Sequence, residues 1–193
     1  MDGTAAEPAR PVRRRLTRRS QVTLAIVVAA LLGVAAAVGL TTDNQAKATP
    51  SPAARNFTLA ELGHPAVKIS LAALAGKPVI INFFASWCAP CKRETPMLAS
   101  FYRQHGGKVL VIGVDSNDET GPALKFARAA GISYPVAVDP FPSSVTAVSY
   151  GVQALPQTFF LNAQHKIVRH VVGDLTEREL TSWAASIAAP KRG

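Results

Sequence analysis

Hydrophobic and polar positions from Phe57 onward alternate between two periods. Val79–Phe84 (VIINFF) and Lys108–Val114 (KVLVIGV) are nearly continuous apolar runs of strand length, the pattern of strands buried on both faces. Phe57–Leu59 and Val67–Ser70 are shorter β-type runs, and Gly63-His64-Pro65 between them predicts a hairpin turn. A helix is predicted from Cys88 to about His105. Met97, Leu98, Phe101 and Tyr102 lie along one side of it, Pro96 predicts a kink, and Gly106-Gly107 end it. Further along come a helix over Thr120–Ala130, a strand over Val136–Val138 and a short helix over Ser143–Tyr150. Strands over Thr158–Leu161 and Ile167–Val172 are joined by the polar turn Asn162-Ala163-Gln164-His165. A last helix over Thr176–Ala188 spaces Leu180, Trp183, Ala184 and Ile187 on one stripe, and Thr176 with Glu179 fits a capping box at its start. Alternating strands and helices, then a hairpin and a final helix, predict a three-layer α/β/α domain with a mixed sheet over residues 57–189.

The first 56 residues follow other rules. Val22–Leu40 is uncharged over nineteen positions and free of Pro, Asn and Gln. As a helix it would span about 28 Å, close to the hydrocarbon thickness of a bilayer. Arg13, Arg14, Arg15, Arg18 and Arg19 precede it, so the positive-inside rule predicts a basic cytoplasmic tail over 1–21, a transmembrane anchor over 22–40 and export of the remainder. The alternative is a cleaved signal peptide, with Ala46-Lys47-Ala48 as the small-x-small site; both readings export the domain. The polar, Pro-containing stretch over 41–56 reads as a flexible linker, and 190–193 as a short basic tail.

The net charge of +9 suggests nucleic acid until it is mapped. Residues 57–187 carry eleven basic and nine acidic side chains, so most of the excess lies outside the folded body. Nucleic-acid binding by that body has no electrostatic basis. The two cysteines exclude a multiply bridged mini-fold and a four-cysteine zinc site within one chain, and the four histidines show no paired metal spacing.

Those cysteines form Cys88-Ala89-Pro90-Cys91, directly after a predicted buried strand and at the start of a predicted helix. Two residues at i and i+3 there face the same side and can close a disulfide. Unpaired N–H groups and the helix dipole favour an anion at that place, so the first thiol should ionise more readily, and the thiolate is the form that attacks a disulfide. A structural staple is the bland alternative, but it would close a tiny loop and stabilise little. A peroxide-reducing cysteine would want Pro and Thr or Ser at the positions occupied by Ile81 and Ala85.

The segments FTLAEL…GKPVIINFFASWCAPCKRETP and YGVQALPQTFFLN together resemble the membrane-anchored thioredoxin-like proteins of the TlpA/ResA/CcmG group. The resemblance implies a thioredoxin fold with N-terminal strands and a central βα insertion, around Thr120–Val138, preceded by one transmembrane helix. It further implies that Cys88 is the exposed nucleophile, Cys91 the buried resolving thiol, and Pro156 a cis-proline facing them. Leu155 would then offer its backbone to an extended substrate, and Trp87 and Pro90 would flank the site. Glu94 occupies the group's active-site glutamate position, and Asn82 stands where cytoplasmic thioredoxins carry an acid; its bland reading is a satisfied buried amide. Phe83, Phe84 and the four histidines read as packing, surface or turn residues. The expected activity is extracytoplasmic thiol-disulfide exchange, most simply reduction of disulfides in exported proteins, with apocytochrome c thiols as one class. A membrane thiol-electron carrier would reset the pair, without a cofactor or metal. The rivals are a disulfide-forming oxidase, a thiol peroxidase and a non-catalytic tethered binding module.

Overall fold

The computed structural model describes residues 52–140 and 145–189. The basic tails and the Val22–Leu40 run lie outside the described residues, as do positions 41–51 of the linker and the first two residues of the expected 143–150 helix. Among the described residues no helix is long and apolar enough to cross a membrane.

Seven strands among these residues form one sheet. They are β1 (Thr58–Glu61), β2 (His64–Ser70), β3 (Val79–Phe84), β4 (Leu110–Ser116), β5 (Val136–Asp139), β6 (Gln157–Leu161) and β7 (Ile167–Val172), in the order β2-β1-β5-β4-β3-β6-β7. β3, β4 and β5 run parallel, and β1 and β6 run antiparallel to their neighbours, so the sheet is mixed. The central strand β3 is buried at all six positions, as its nearly continuous apolar run implies, and this takes the polar Asn82 into the core with it. Its even positions face one layer and its odd positions the other. Ile80 and Phe84 pack with Leu98, Phe101, Leu180, Ala184 and Ile187, whereas Val79, Ile81 and Phe83 pack with Ile112, Val114, Ala147 and Phe159.

The helices are α1 (Ala89–His105), α2 (Thr120–Ala129), α3 (Val145–Ser149) and α4 (Glu177–Ala188). α1 runs unbroken through Pro96, which removes only the donor that would reach the carbonyl of Lys92. α4 carries the full capping box, with Thr176 and Glu179 satisfying each other's backbone donors. The α2–β5 unit sits between β4 and the segment before β6, where the central insertion was expected, and places β5 parallel beside β4.

Two local expectations need correction, and one short element was not foreseen. The β1–β2 turn is made at Leu62-Gly63, with Gly63 at φ +80, and His64 and Pro65 already belong to β2. Pro65 is tolerated because β2 is an edge strand. The segment read as a linker is tied down at its end. Ala53 bridges Lys166, Ala54 N–H donates to His165 O, and Tyr150 Oη–H donates to Arg55 O at 2.7 Å. An apolar one-turn 3-10 helix, Ala72–Leu74, connects β2 to β3 without a periodic signal long enough to announce it.

Gly113, in the middle of β4, marks where the layers are tightest. A Cβ built there would lie 2.8 Å from Phe84 Cε1 and 3.2 Å from Tyr134 Cε2. Gly113→Ala is therefore expected to lower the unfolding free energy by about 1–3 kcal/mol, the usual cost of overpacking. Urea denaturation reads this directly, and an unchanged midpoint would contradict the packing described.

Candidate active site

β3 ends at Phe84, and the chain then turns so that Cys88 N–H donates to Ala85 O at 3.2 Å. That turn delivers Cys88 as the N-cap of α1, with Pro90 inside the first turn, where its missing N–H costs nothing. Cys88 and Cys91 are joined as a disulfide, and Cys88 Sγ accepts the N–H of Cys91 at 3.2 Å. The cap position thus aims an orphan helix donor at sulfur, and α1 has no acidic residue in its first turn to oppose an anion. A thiolate at Cys88 would keep this bond in a stronger, charge-assisted form.

The antiparallel register of β3 with β6 brings the second half of the site to the same end of the sheet. Phe83 pairs with Gln157, so the residue before β6, Pro156, lies at the end from which Cys88 emerges. The Leu155–Pro156 bond is cis, and Pro156 O accepts Gly173 N–H at 3.0 Å. Pro156 is buried, while Leu155 and Pro90 are half-buried and Trp87 is 58% exposed. Trp87 is fixed by its Nε1–H, which donates to Asn117 O at 2.9 Å.

Cys91 is fully buried, and Cys88 is only 4% exposed. The exposed nucleophile implied by resemblance is therefore nearly covered in the oxidised protein. The bond to Cys91 and the N–H on Sγ hold its sulfur over the helix end, against the apolar cluster that includes Phe84 and Leu98.

One turn along α1, Glu94 is 3% exposed, deeper than its sequence position alone implied. Its carboxylate accepts Asn82 Nδ2–H at 2.8 Å and Leu175 N–H at 2.8 Å. Burial pushes the carboxyl above its usual range, and the charge of Asp174 adds to this. The bonds from Leu175 and Asn82 pull the other way without cancelling it. That balance follows from magnitudes: hydrogen bonds to a charge are worth about 1.5–3 kcal/mol each, and removing an ion from water costs several. Arg93 pairs with Asp174 at 2.6 Å, pinning the loop that carries Leu175; the pair is exposed and adds little stability. Asn82 Nδ2 also donates to Thr158 Oγ1 at 3.0 Å, but Asn82 Oδ1 is buried without a partner among the described residues. The satisfied amide read from the sequence is satisfied on one side only.

The histidines also divide. His170 is exposed, yet it stacks on Phe159 with centroids 4.0 Å apart and bonds to Gln157 Oε1 at 2.8 Å, while Gln157 Nε2–H donates to Ala154 O. It is the surface residue the sequence predicted, and its ring also supports the loop before Pro156 through Gln157. Burial and Arg169 lower its pKa. Sequence reasoning also missed Asp115 and Asp118, whose approach depends on the turn after β4. No cluster of three metal-ligating side chains occurs among the described residues.

The AhpC/TSA family profile matches residues 50–170. The thiol-disulfide oxidoreductase ResA of Bacillus subtilis is 30% identical over 166 residues, covering 86% of this chain and 89% of that one. The chain belongs to the ResA-like thiol-disulfide oxidoreductases. ResA of Bacillus thuringiensis is 35% identical over 136 residues, 69% of this chain and 76% of that protein. A thiol:disulfide interchange protein of the thioredoxin family from Chlorobium tepidum superposes with a TM-score of 0.65 at 22% identity, covering 74% of this chain and 99% of its own, which shows the shared fold. As a ResA-like oxidoreductase, the chain presents a disulfide that can accept two electrons and return as a dithiol.

The raised pKa of Glu94 has a consequence for stability. An acid whose folded pKa exceeds its unfolded value stabilises fully only below the unfolded value, about pH 4.5, and that contribution is lost as pH rises through the folded one. Wild type should therefore lose melting temperature relative to Glu94→Gln as pH increases from about 4.5. A pH-independent difference between the two would show that Glu94 is not desolvated as described.

Proposed function

We propose that this oxidoreductase works as a reductase of disulfides in exported proteins, with apocytochrome c as one substrate class. The observation that carries this reading is the buried Glu94 carboxylate one turn beyond Cys91, held by Asn82 and Leu175. A negative charge there disfavours a second anion at sulfur, raises thiol pKa and makes the pair a poorer oxidant.

The reaction is two displacements. The Cys88 thiolate attacks one sulfur of a substrate disulfide, forming a mixed disulfide and releasing the first substrate sulfur as thiolate. Glu94 accepts the proton of Cys91, and the Cys91 thiolate attacks Cys88 Sγ. The second substrate sulfur leaves and the Cys88–Cys91 bond closes. Two electrons have passed to the substrate, and a membrane dithiol carrier returns them. Trp87, Pro90 and the backbone at Leu155–Pro156 form the edge against which an extended substrate segment lies. Anchoring through Val22–Leu40, with the N-terminus cytoplasmic, would keep enzyme and carrier in one layer; the support is the uncharged length of that run and the arginines before it.

The reduction potential of the pair decides direction. It should lie near the thioredoxin value of about −270 mV, and a value above about −180 mV, that of protein disulfide isomerase, would reject the reductase reading in favour of an oxidase. Cys91→Ser should accumulate mixed disulfides through Cys88 when the oxidised substrate is supplied; a structural staple would trap none. For the anchor, the full chain should stay with membranes after an alkaline carbonate wash. Quantitative release would remove that part of the proposal.

A further inference from the structure

Two carboxylates that the exchange chemistry leaves unused lie beside the turn that delivers Cys88. Residues 85–88 form that turn, closed by Cys88 N–H on Ala85 O, so Ser86 and Trp87 are its two central residues. Both are held from the segment after β4. Asp118 accepts the N–H of Ser86 on Oδ2 and the Oγ–H of Ser86 on Oδ1, the latter at 3.0 Å, while Asn117 O takes Trp87 Nε1–H. Asn117 can turn its carbonyl this way because it adopts φ +54, a conformation Asn tolerates better than most residues. Asp118 Oδ1 also accepts Glu119 N–H at 2.8 Å, fixing the carboxylate to its own backbone.

Beneath Asp118 lies Asp115, 1% exposed, with Oδ1 unpartnered among the described residues. Its strand neighbours in register are Phe84 and Val138, neither of which offers it a cation. We propose that Asp118 is a positioning residue for thiol-disulfide exchange, clamping Ser86 and Trp87 so that Cys88 is presented at the helix start, and that Asp115 is its buried, proton-bearing partner. The proposal rests on Cys88 being the attacking sulfur.

The chemistry of the pair follows from its surroundings. Burial first, then the charge of Asp118, push the Asp115 carboxyl up to about 8. Below that pH Asp115 carries a proton and can donate toward Asp118; above it two carboxylates face each other with little water between them. Other charged groups nearby are engaged or peripheral. Asp139, at the end of β5, accepts the N–H groups of Thr146 and Ala147. Glu119 lines the cleft of about 390 Å³ that also holds Trp87 and Asp118, and Lys92 and Lys125 line the neighbouring cleft, which shares Ser86. Ionising Asp115 therefore strains the clamp on Ser86 and Trp87 directly.

Two measurements test the pair. The first uses oxidised protein, in which neither cysteine titrates, in a Trp183→Phe background so that Trp87 alone fluoresces. Its emission should change in a transition near pH 8, and Asp115→Asn should abolish that transition; its persistence in the variant, or its absence from the parent, overturns the role of Asp115. This readout does not depend on exchange activity, so it stays informative if the proposed function fails. The second is the limiting rate, at full thiolate ionisation, with which reduced protein reacts with oxidised glutathione. Asp118→Asn should lower it about tenfold through misplacement of Cys88, and Ser86→Ala should lower it less in the same direction. A wild-type rate in folded Asp118→Asn overturns the positioning role. Should that variant not fold, a wild-type rate in Ser86→Ala does so instead.

Discussion

One buried carboxylate joins the pieces that make this site work. Glu94 belongs to α1, its hydrogen-bond partners belong to β3 and to the loop leading into α4, and Asn82 carries the connection on to Thr158 of β6. Four separate stretches of chain therefore meet at one acid one turn beyond the cysteines. Without it the Leu175 N–H and one of the two Asn82 Nδ2 hydrogens would be left unpaired, each a penalty of about 1–3 kcal/mol. In the proposed cycle the same acid would take the proton of Cys91. The cost of keeping it in the core is thus tied to the chemistry in a way that an apolar replacement would not be.

The sheet turns this local arrangement into a site. Parallel pairing of β3 with β4 and antiparallel pairing with β6 bring three connections to one end: the turn into Cys88, the turn at Asn117-Asp118 and the loop at Leu155–Pro156. Each is short; the first two hold each other, and the third is held by side chains of β6 and β7. Asp118 holds Ser86, Asn117 holds Trp87, and Gln157 with His170 holds Ala154. The disulfide is displayed by loops, but loops braced against one another as a rigid element would be.

Much of this was legible in the residues. VIINFF marked the central strand to the residue because five apolar side chains in six positions, following Pro78 and of strand length, suit a strand buried on both faces. The stripe Leu180-Trp183-Ala184-Ile187 and its cap fixed the last helix to within a residue at its start. The cysteine pair and its place at a helix start needed no coordinates. What escaped was whatever depends on two distant segments approaching. Asp115 and Asp118 drew no reading from the sequence, since only the tertiary fold buries the one and brings the other to Ser86. His170 is at the surface as read, but its stacking on Phe159 escaped because that partner lies on the neighbouring strand. The depth of Cys88 depends on how the closed disulfide seats its sulfur, which spacing does not encode.

The bridge between Ala53 and Lys166 sets a polarity for the whole domain. It lies at the start of β7, and Val172, 64% exposed beside Pro156, lies at its other end. A six-residue strand measures about 20 Å. Residues 52–54 thus lie at the pole opposite the disulfide. A partner that docks on the disulfide would therefore not meet the Pro52–Ala54 segment that is stitched to the start of β7.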